Sequence, residues 1–296
     1  MATRTWSSGS SRKRPPRAIL LIVHGGGWHS GYFDALSCKL AAEIDIFIAA
    51  FDQPGCGYSD PEPSAPRGYT HIRSIDDCID DIFEAAWWAQ NQARNGNKAP
   101  LPLFLLGESY GGVQVLIAAL EARKGYGFTQ LVGAIVLGGL IRVVPDMLPP
   151  APVVALLKYL ARYYPRVAMP ATDTSKTFDE AFGNKAWAKV ARMDPKVSVS
   201  VKPTLGMAAA ILSAGDSLLD RASDFPVPLL AIHGARDCRT QCEVMQEFVD
   251  KIGSNAKMVI IDTDGHQLLQ DEPTKSEMVI DTISQWLSEQ IKVSCL

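Results

Sequence analysis

The sequence lacks several features that define large classes of protein. It contains no uninterrupted apolar run of about 20 residues, the length that a membrane-spanning helix needs. Positive and negative charges nearly balance, with a formal net charge of −3, so no overall basic field would attract nucleic acid. Neither GxGxxG nor GxxxxGK[ST] occurs, which leaves the chain without a standard phosphate-binding loop.

Cysteine is too scattered to build a metal site or a disulfide framework. The six cysteines include no CxxC pair and no cluster with histidine. We therefore expect no metal and no cofactor. We also expect reduced, mostly buried thiols in an intracellular, cytoplasmic protein.

The N-terminal segment RTWSSGSSRKRPPRA is basic, polar and rich in serine and proline. It lacks the apolar core of a secretory signal. We expect a solvated tail that leads into the first strand. Contact of this tail with an acidic membrane surface is the alternative.

Short apolar runs alternate with helical patterns along most of the chain. Continuous apolar strands separated by helices are typical of a parallel sheet covered on both faces. The sequence therefore predicts a doubly wound α/β fold with a mostly parallel central sheet. Strands are predicted at 18–25, 44–55, 101–107, 131–139, 227–237 and 257–266, and helices at 33–43, 76–93, 109–124, 243–253 and 278–291.

Residues 141–226, here called the insertion, interrupt this alternation. They are rich in proline and methionine and have helical patterns but no clear buried strand. Their place between two strands favours a helical cap or lid, and Met147, Val153 and Leu157 beside prolines suit an apolar substrate or a membrane. Helices packed only for stability are the alternative. The predicted organisation is a core formed by 1–140 and 227–296, with 141–226 as the cap.

The run Gly107-Glu108-Ser109-Tyr110-Gly111 fits the pattern G-x-S-x-G between a predicted strand and a predicted helix. In this context the glycines allow a turn so sharp that it exposes the serine hydroxyl at the edge of the sheet. The N-terminus of the following helix favours negative charge there. The motif predicts that Ser109 is a nucleophile.

A serine hydroxyl needs a base to take its proton, and His266 is the strongest candidate. It follows the last predicted strand in the loop DTDGH. His233 lies within a strand end, where its side chain would point into or under the sheet edge. His71 lies in a polar loop, where we expect an exposed or capping side chain.

Asp237 is the candidate for the acid that orients the base. It follows the predicted strand at 227–237, and the resulting chain order Ser…Asp…His is that of α/β-hydrolases. Asp262 and Asp264 are nearer to His266 in the sequence, but acids in such a loop are usually solvated.

Two backbone amides are candidates for an oxyanion hole. One is the amide of Tyr110, directly after the nucleophile. The other lies in the glycine loop after the first strand, where Gly26 is the favoured donor and Gly27 the alternative.

Together these motifs resemble the α/β-hydrolase superfamily, and within it the serine hydrolases similar to monoacylglycerol lipases and lysophospholipases. HGGGWHSGYFDALSCKLA is similar to that family's oxyanion region, FDQPGCGYSD to its D-x-x-G-x-G-x-S loop, and GESYGG to its nucleophile turn. The HGGG run also resembles hormone-sensitive-lipase-like carboxylesterases, which usually lack the HSG continuation of this run and the D-x-x-G-x-G-x-S loop. The resemblance implies a catalytic triad and a helical cap over an acyl pocket, on a chain that begins later than most members.

The sequence departs from the family at two positions. Trp28 replaces a commonly acidic residue, and Tyr32 stands where glycerol-specific members tend to carry arginine. We expect both side chains to line the pocket for an apolar acyl chain.

The resemblance implies hydrolysis of carboxylic esters of lipid-like molecules, such as monoacylglycerol or lysophospholipid. An acyltransferase or thioesterase with the same triad is one alternative, and a non-catalytic small-molecule receptor is another. The expected partners are a small ester or lipid and no nucleic acid, with the cap as a candidate for peripheral membrane contact.

Overall fold

A computed structural model describes residues 3–6, 15–60, 71–72, 74–93, 99–122, 130–169, 177–199 and 202–294. Within these ranges the chain forms one seven-stranded sheet in the order β1-β3-β2-β4-β5-β6-β7. Strands β2 to β7 run parallel, and β1 pairs antiparallel with β3 at one edge. The strands are β1 Thr3–Trp6, β2 Ala18–Val23, β3 Ile46–Phe51, β4 Leu103–Glu108, β5 Leu131–Leu137, β6 Leu229–Gly234 and β7 Ala256–Ile261.

Helices cover both faces of the sheet. Successive residues of β2 point into two separate apolar clusters, because side chains alternate across a strand. The helices outside the insertion are α1 Asp34–Glu43, α2 Ile75–Ala93, α3 Tyr110–Glu121, α7 Cys242–Ile252 and α8 Pro273–Ser294. Helices α2, α3 and α7 contribute to one cluster, and α1 and α8 contribute to the other.

The predicted strands and helices of the core are confirmed, with changes at their ends. Helix α8 begins at Pro273, earlier than predicted, because proline suits the first position of a helix. The prediction of a solvated tail is wrong at Arg4–Trp6, which lie in the edge strand β1. Residues 7–14 of the basic segment lie outside the described residues.

The insertion contributes three helices in its described part, α4 Ala151–Ala161, α5 Lys185–Met193 and α6 Leu205–Asp220. Helix α6 packs against α2, α3 and α7, and its Met207, Ala214 and Leu218 join one of the core clusters. Helix α4 lies on α6 and has Ala161 as its buried residue. Part of the insertion is thus packed into the core. The division of the chain into core and cap stays a prediction.

The prediction of an exposed or capping His71 is wrong, and so is the prediction that the cysteines are mostly buried, because Cys56 and Cys238 are only partly buried. His71 is buried, and its Nδ1 lies 2.8 Å from the hydroxyl of Thr204 at the start of α6. Cys38 is exposed, whereas Cys78 and Cys242 are buried; all the cysteines in the described part of the chain are free thiols. Cys295 lies outside the described residues.

Candidate active site

Ser109 lies at the carboxyl end of β4, one residue before α3. Its backbone has φ 51° and ψ −115°, and it is the one residue other than glycine with positive φ in the described ranges. Such a conformation is costly for a residue with a side chain and persists where the surroundings enforce it. The main chain therefore holds the serine in the strained turn that the motif predicts.

The glycines of this turn are required by close backbone contacts. A Cβ on Gly107 would collide with the backbone of Gly111, and a Cβ on Gly111 would collide with the carbonyl oxygens of Val23 and His24. The turn therefore packs directly on the end of β2. This contact brings Ser109 beside the glycine loop that follows β2.

His266 and Asp237 form a buried pair at the same edge of the sheet. Asp237 follows β6 and His266 follows β7, so both emerge, like Ser109, from the carboxyl ends of parallel strands. Nδ1 of His266 lies 2.7 Å from Oδ2 of Asp237. The position that a Cβ on Gly138 would occupy is 3.2 Å from the His266 ring, so the end of β5 packs against this pair.

The two side chains stabilise each other's charge. Burial opposes ionisation of Asp237, but the charge and hydrogen bond of His266 hold the pKa of this carboxyl below its usual value. Burial likewise disfavours the His266 cation, yet Asp237 raises the pKa of the imidazole above its usual value. Asp237 therefore favours the protonated form of His266, as a base that must accept a proton requires.

Neighbouring groups fix the orientation of the Asp237 carboxylate. Its Oδ1 accepts hydrogen bonds from the backbone amides of Arg239, at 2.7 Å, and Thr240, at 3.1 Å. Its Oδ2 accepts a bond from the Thr240 hydroxyl at 3.0 Å, besides the one from His266. The same hydroxyl lies 3.1 Å from Nε2 of His233, a fully buried imidazole whose pKa burial lowers.

The glycine loop after β2 lies against the nucleophile turn. Gly26 is exposed, and a Cβ on it would be 3.8 Å from Cβ of Tyr110. Tyr110 is the first residue of α3, so its amide has no intrahelical acceptor. Gly27 adopts φ 73°, which suits glycine. Tyr110 directly follows Ser109 and Gly26 lies against Tyr110, and the role of their amides as oxyanion donors stays a prediction.

A second loop braces the glycine loop. Asp52 accepts hydrogen bonds from the amides of Ser30 and Tyr58, each at 2.9 Å. The Gln53 amide donates to Nε2 of His24 at 2.9 Å, and its side-chain amide donates to the His24 carbonyl at 2.6 Å. The FDQPGCGYSD motif thus acts by holding the glycine loop in place.

The insertion contacts the loops that carry the acid and the base. The backbone amides of His266 and Gln267 both donate to the carbonyl of Ala181 at 2.8 Å. The Arg239 guanidinium donates to the carbonyl of Thr177 at 2.6 Å and to its hydroxyl at 3.1 Å. The position of His266 therefore depends on the insertion.

Trp28 and Tyr32 lie where the glycine loop meets the insertion. Trp28 is only 4% exposed and packs on Tyr32, with ring centroids 4.1 Å apart. The Tyr32 hydroxyl donates to Asp194 at 3.3 Å, and Nε2 of His29 lies 3.0 Å from the same carboxylate oxygen. Tyr32 keeps part of its surface exposed, and the contact of either side chain with substrate stays a prediction.

Other sequence candidates are not brought into this site. Asp262 and Asp264 are exposed and pair with Arg236. Within the described ranges no three His, Cys, Asp or Glu side chains are arranged to hold a metal ion. None of the helices in this part of the chain is both long and apolar enough to cross a membrane.

Sequence reasoning missed the polar residues that support the site. Thr240 and His233 reach Asp237 through side chains that no motif singles out. Asp194 is 165 residues from its partner His29. Glu108 is fully buried beside Ser109, and its place in the motif gives no role for it.

Comparison with known proteins agrees with this geometry. Residues 14–273 match the serine aminopeptidase S33 family, Hydrolase_4. The chain belongs to this family. Its resemblance to α/β-hydrolases of the monoacylglycerol lipase type is confirmed, and so is the predicted fold.

Similar proteins occur in several organisms. An uncharacterized abhydrolase domain-containing protein of Dictyostelium discoideum is 29% identical over 293 residues, which cover 99% of this chain but only 28% of that protein. A monoacylglycerol lipase of Mycolicibacterium smegmatis is 24% identical over 272 residues, covering 92% of this chain and 88% of the relative. The structure of a soluble variant of monoglyceride lipase from Saccharomyces cerevisiae with a substrate analog has a TM-score of 0.77 at 19% identity, covering 97% of this chain and 91% of that one.

Proposed function

We propose that this S33 family member is a serine hydrolase that cleaves carboxylic esters of lipid-like molecules through an acyl-enzyme. One observation carries the proposal. Ser109 is held in a strained turn at the carboxyl end of β4. The buried His266–Asp237 pair lies at the carboxyl ends of parallel strands of the same sheet, with Nδ1 of His266 2.7 Å from Oδ2 of Asp237. The similarity to a bacterial monoacylglycerol lipase supports the ester class.

The reaction assigns one task to each group. Ser109 Oγ attacks the ester carbonyl while its proton passes to Nε2 of His266. The amides of Gly26 and Tyr110 stabilise the negative oxygen of the tetrahedral intermediate. The imidazolium then gives its proton to the departing alcohol, and Ser109 keeps the acyl group. Water then attacks the acyl carbonyl while its proton passes to His266, and the imidazolium returns this proton to Ser109 Oγ as the acid is released.

The insertion supports the proposal that the substrate is apolar. Helix α4 and the turn after it expose Val153, Leu156, Tyr159, Tyr163 and Val167, which recur at intervals of three or four residues. Exposed Arg162 and Arg166 lie among them. An apolar stripe with basic neighbours suits the surface of an anionic lipid layer, from which the enzyme would take its substrate.

A substrate panel tests the proposed activity. We expect hydrolysis of p-nitrophenyl esters of increasing chain length, of a monoacylglycerol and of a lysophospholipid, with product analysis by mass spectrometry. Added alcohols and acyl-thioesters would reveal an acyltransferase or a thioesterase. Incubation with an aminoacyl p-nitroanilide would test for aminopeptidase activity, the reaction after which the family is named. Tight binding of an ester without turnover would instead support a receptor and contradict the proposal.

The lipid surface gives a second prediction. In a Leu156→Glu/Tyr163→Glu variant, co-sedimentation with phosphatidylglycerol-containing vesicles should fall about tenfold or more, because two apolar anchors are replaced by acids. Hydrolysis of a short, water-soluble ester should be unchanged.

The matched control is Met278→Glu/Val293→Glu, which replaces two exposed apolar residues of α8. This control should sediment like the wild type. Equal sedimentation of all three proteins would contradict a lipid contact through the insertion.

A further inference from the structure

Thr240 and His233 form a buried polar pair beside the carboxylate of Asp237, and the proposed reaction uses neither of them. The side chains of His233 and Asp237 have no exposed surface, and Thr240 is 1% exposed. The position that a Cβ on Gly138 would occupy is 3.4 Å from Oδ2 of Asp237, so the end of β5 closes this space. The hydrogen bonds that Oδ2 accepts therefore depend on neighbouring side chains.

One oxygen of Asp237 contacts both His266 and Thr240. Its Oδ2 lies 2.7 Å from Nδ1 of His266 and 3.0 Å from the hydroxyl of Thr240. The other oxygen, Oδ1, accepts hydrogen bonds from the backbone amides of Arg239 and Thr240. These two amides hold the carboxylate in place with or without the hydroxyl. The hydroxyl instead acts on the oxygen that faces the base.

The Thr240 hydroxyl has three neighbours for a single hydrogen. Its Oγ1 is 3.0 Å from Oδ2 of Asp237, 3.1 Å from Nε2 of His233 and 3.2 Å from the carbonyl oxygen of Gly138. A hydroxyl donates once and accepts at two lone pairs. The carboxylate and the carbonyl can only accept, so His233 is the one of these three that can donate to Oγ1. A proton on Nε2 of His233 therefore leaves the hydroxyl hydrogen free for an oxygen.

The carboxylate is the stronger of the two oxygen acceptors. A hydrogen bond to an ionised acceptor is roughly twice as strong as one between neutral groups, and successive donors polarise one another. A chain from Nε2–H of His233 through the Thr240 hydroxyl to Oδ2 of Asp237 has both advantages. Nδ1 of His233 lies 3.1 Å from the carbonyl of Gly234, but a proton there would make a bond between neutral groups. The same Nδ1 is 3.8 Å from Oδ2, too far for a hydrogen bond, so His233 reaches the carboxylate through the hydroxyl.

We propose that Thr240 is a positioning residue that sets the basicity of His266, and that His233 holds its hydroxyl in place. The hydroxyl hydrogen offsets part of the charge on Oδ2, so Asp237 stabilises the imidazolium less than an unshared oxygen would. This inference rests on the proposed function, in which His266 takes the Ser109 proton. Neither Thr240 nor His233 gains or loses a proton in that reaction.

The charged groups around His266 remain when Thr240 is replaced. Burial disfavours the His266 cation, while Asp237 raises the pKa of the imidazole above its usual value. Glu108 also raises this pKa, and Arg239 lowers it. A shift in the titration of His266 in a Thr240 variant would therefore report the loss of the hydroxyl.

His233 titrates at lower pH than His266. Burial lowers the pKa of His233 below its usual value. The charges of Asp237 and Glu243 oppose this shift, and that of His266 adds to it. His233 is therefore a neutral ring where His266 titrates, with the single proton that the hydrogen bonds assign to Nε2.

Removing the hydroxyl should make His266 a stronger base. In Thr240→Val, Oδ2 keeps its full charge for His266, so the pKa of the imidazole rises. Labelling of Ser109 requires the neutral imidazole and should therefore fall off at higher pH than in the wild type. Damage that loosened the pairing of His266 with Asp237 would move this fall to lower pH. The direction of the shift thus separates tuning of the base from a structural role.

The test is the pH dependence of fluorophosphonate labelling at Ser109. In Thr240→Val the midpoint of the fall at low pH should rise by about half a unit, because a neutral hydroxyl offsets only part of a carboxylate charge. The rate at the alkaline plateau should stay within about threefold of the wild type, since the amides on Oδ1 remain. Thr240→Ser, which keeps the hydroxyl, should behave like the wild type. The matched control is Thr282→Val, whose lost hydroxyl donates to the carbonyl of Met278 in α8.

A double-mutant comparison tests the part played by His233. His233→Asn removes Nε2 and keeps a polar group near the position of Nδ1. Alone it should move the midpoint to higher pH by less than Thr240→Val does. Added to Thr240→Val it should give no further shift, because it acts through the hydroxyl. A further shift in that background would show that His233 does not act through Thr240.

The labelling data keep this inference separate from the proposed function. A midpoint that is unchanged or lower in folded Thr240→Val would overturn the inference and leave the proposed function intact. Thr240→Ala carries the same prediction and replaces the valine variant if melting curves show that valine prevents folding. A folded wild type that is not labelled at all would overturn both.

Discussion

Replacing Ser109 by alanine should abolish labelling by a fluorophosphonate and lower kcat for ester hydrolysis by about 10⁴-fold to 10⁶-fold. The reason is that the oxygen that bonds the acyl group or the phosphorus is removed, while the oxyanion amides remain. The strained backbone at φ 51° stays equally costly for alanine, so the melting temperature should change little. Intact-protein mass spectrometry with peptide mapping would locate the label.

The matched control is Ser276→Ala, a serine on α8 whose hydroxyl donates to the carbonyl of Pro273 in its own helix. This variant should label and hydrolyse like the wild type. Labelling of Ser109→Ala at another residue, or hydrolysis at a tenth of the wild-type rate, would show that a different group is the nucleophile.

Asp237→Asn should lower kcat by about 10⁴-fold, although the variant changes little in shape. The amides of Arg239 and Thr240 both donate to Oδ1, at 2.7 Å and 3.1 Å, so the oxygen of an asparagine would be held at that position. Its NH₂ group would then face Nδ1 of His266, where Oδ2 now lies. The imidazole would have to accept a hydrogen bond at Nδ1 and carry its proton on Nε2, the tautomer that cannot take the Ser109 proton.

The rate of p-nitrophenyl ester hydrolysis over a range of pH would measure this loss. Asp262→Asn removes an exposed acid near His266 in the sequence and serves as the control, with no change expected. A loss of less than tenfold in Asp237→Asn would mean that another group orients His266.

The core strands could be predicted from the sequence because each is a short buried run with a local signal. The edge strand β1 could not, since Thr3–Trp6 are four residues of mixed polarity whose strand conformation depends on pairing with β3, more than 40 residues away. The burial of His71 is also not evident from the sequence, for a similar reason. Its ring contacts Thr204, the residue directly before α6, which is 133 residues away along the chain.

Ser109, Asp237 and His266 could be singled out from the sequence because each follows a recognisable strand and their order along the chain is informative, and their role as a triad stays a prediction. The supporting groups could not, because they depend on how loops from distant strands meet. Thr240 is identified only when its hydroxyl is seen within 3.1 Å of His233 and 3.0 Å of Asp237. Glu108 is part of the motif, but only the structure shows that its Oε2 is buried with no hydrogen-bond partner among the described residues.

The hydrogen bonds from His266 and Gln267 to the carbonyl of Ala181 make the insertion more than an exchangeable module. Segments between strands are attractive places to graft a foreign specificity, since they tolerate changes in length. Here a transplanted segment would have to present a carbonyl at residue 181 and a partner for Arg239 at residue 177. Selection for a new substrate would therefore be confined to α4, α5 and the turns around them, with the stretch from Thr177 to Ala181 inherited unchanged.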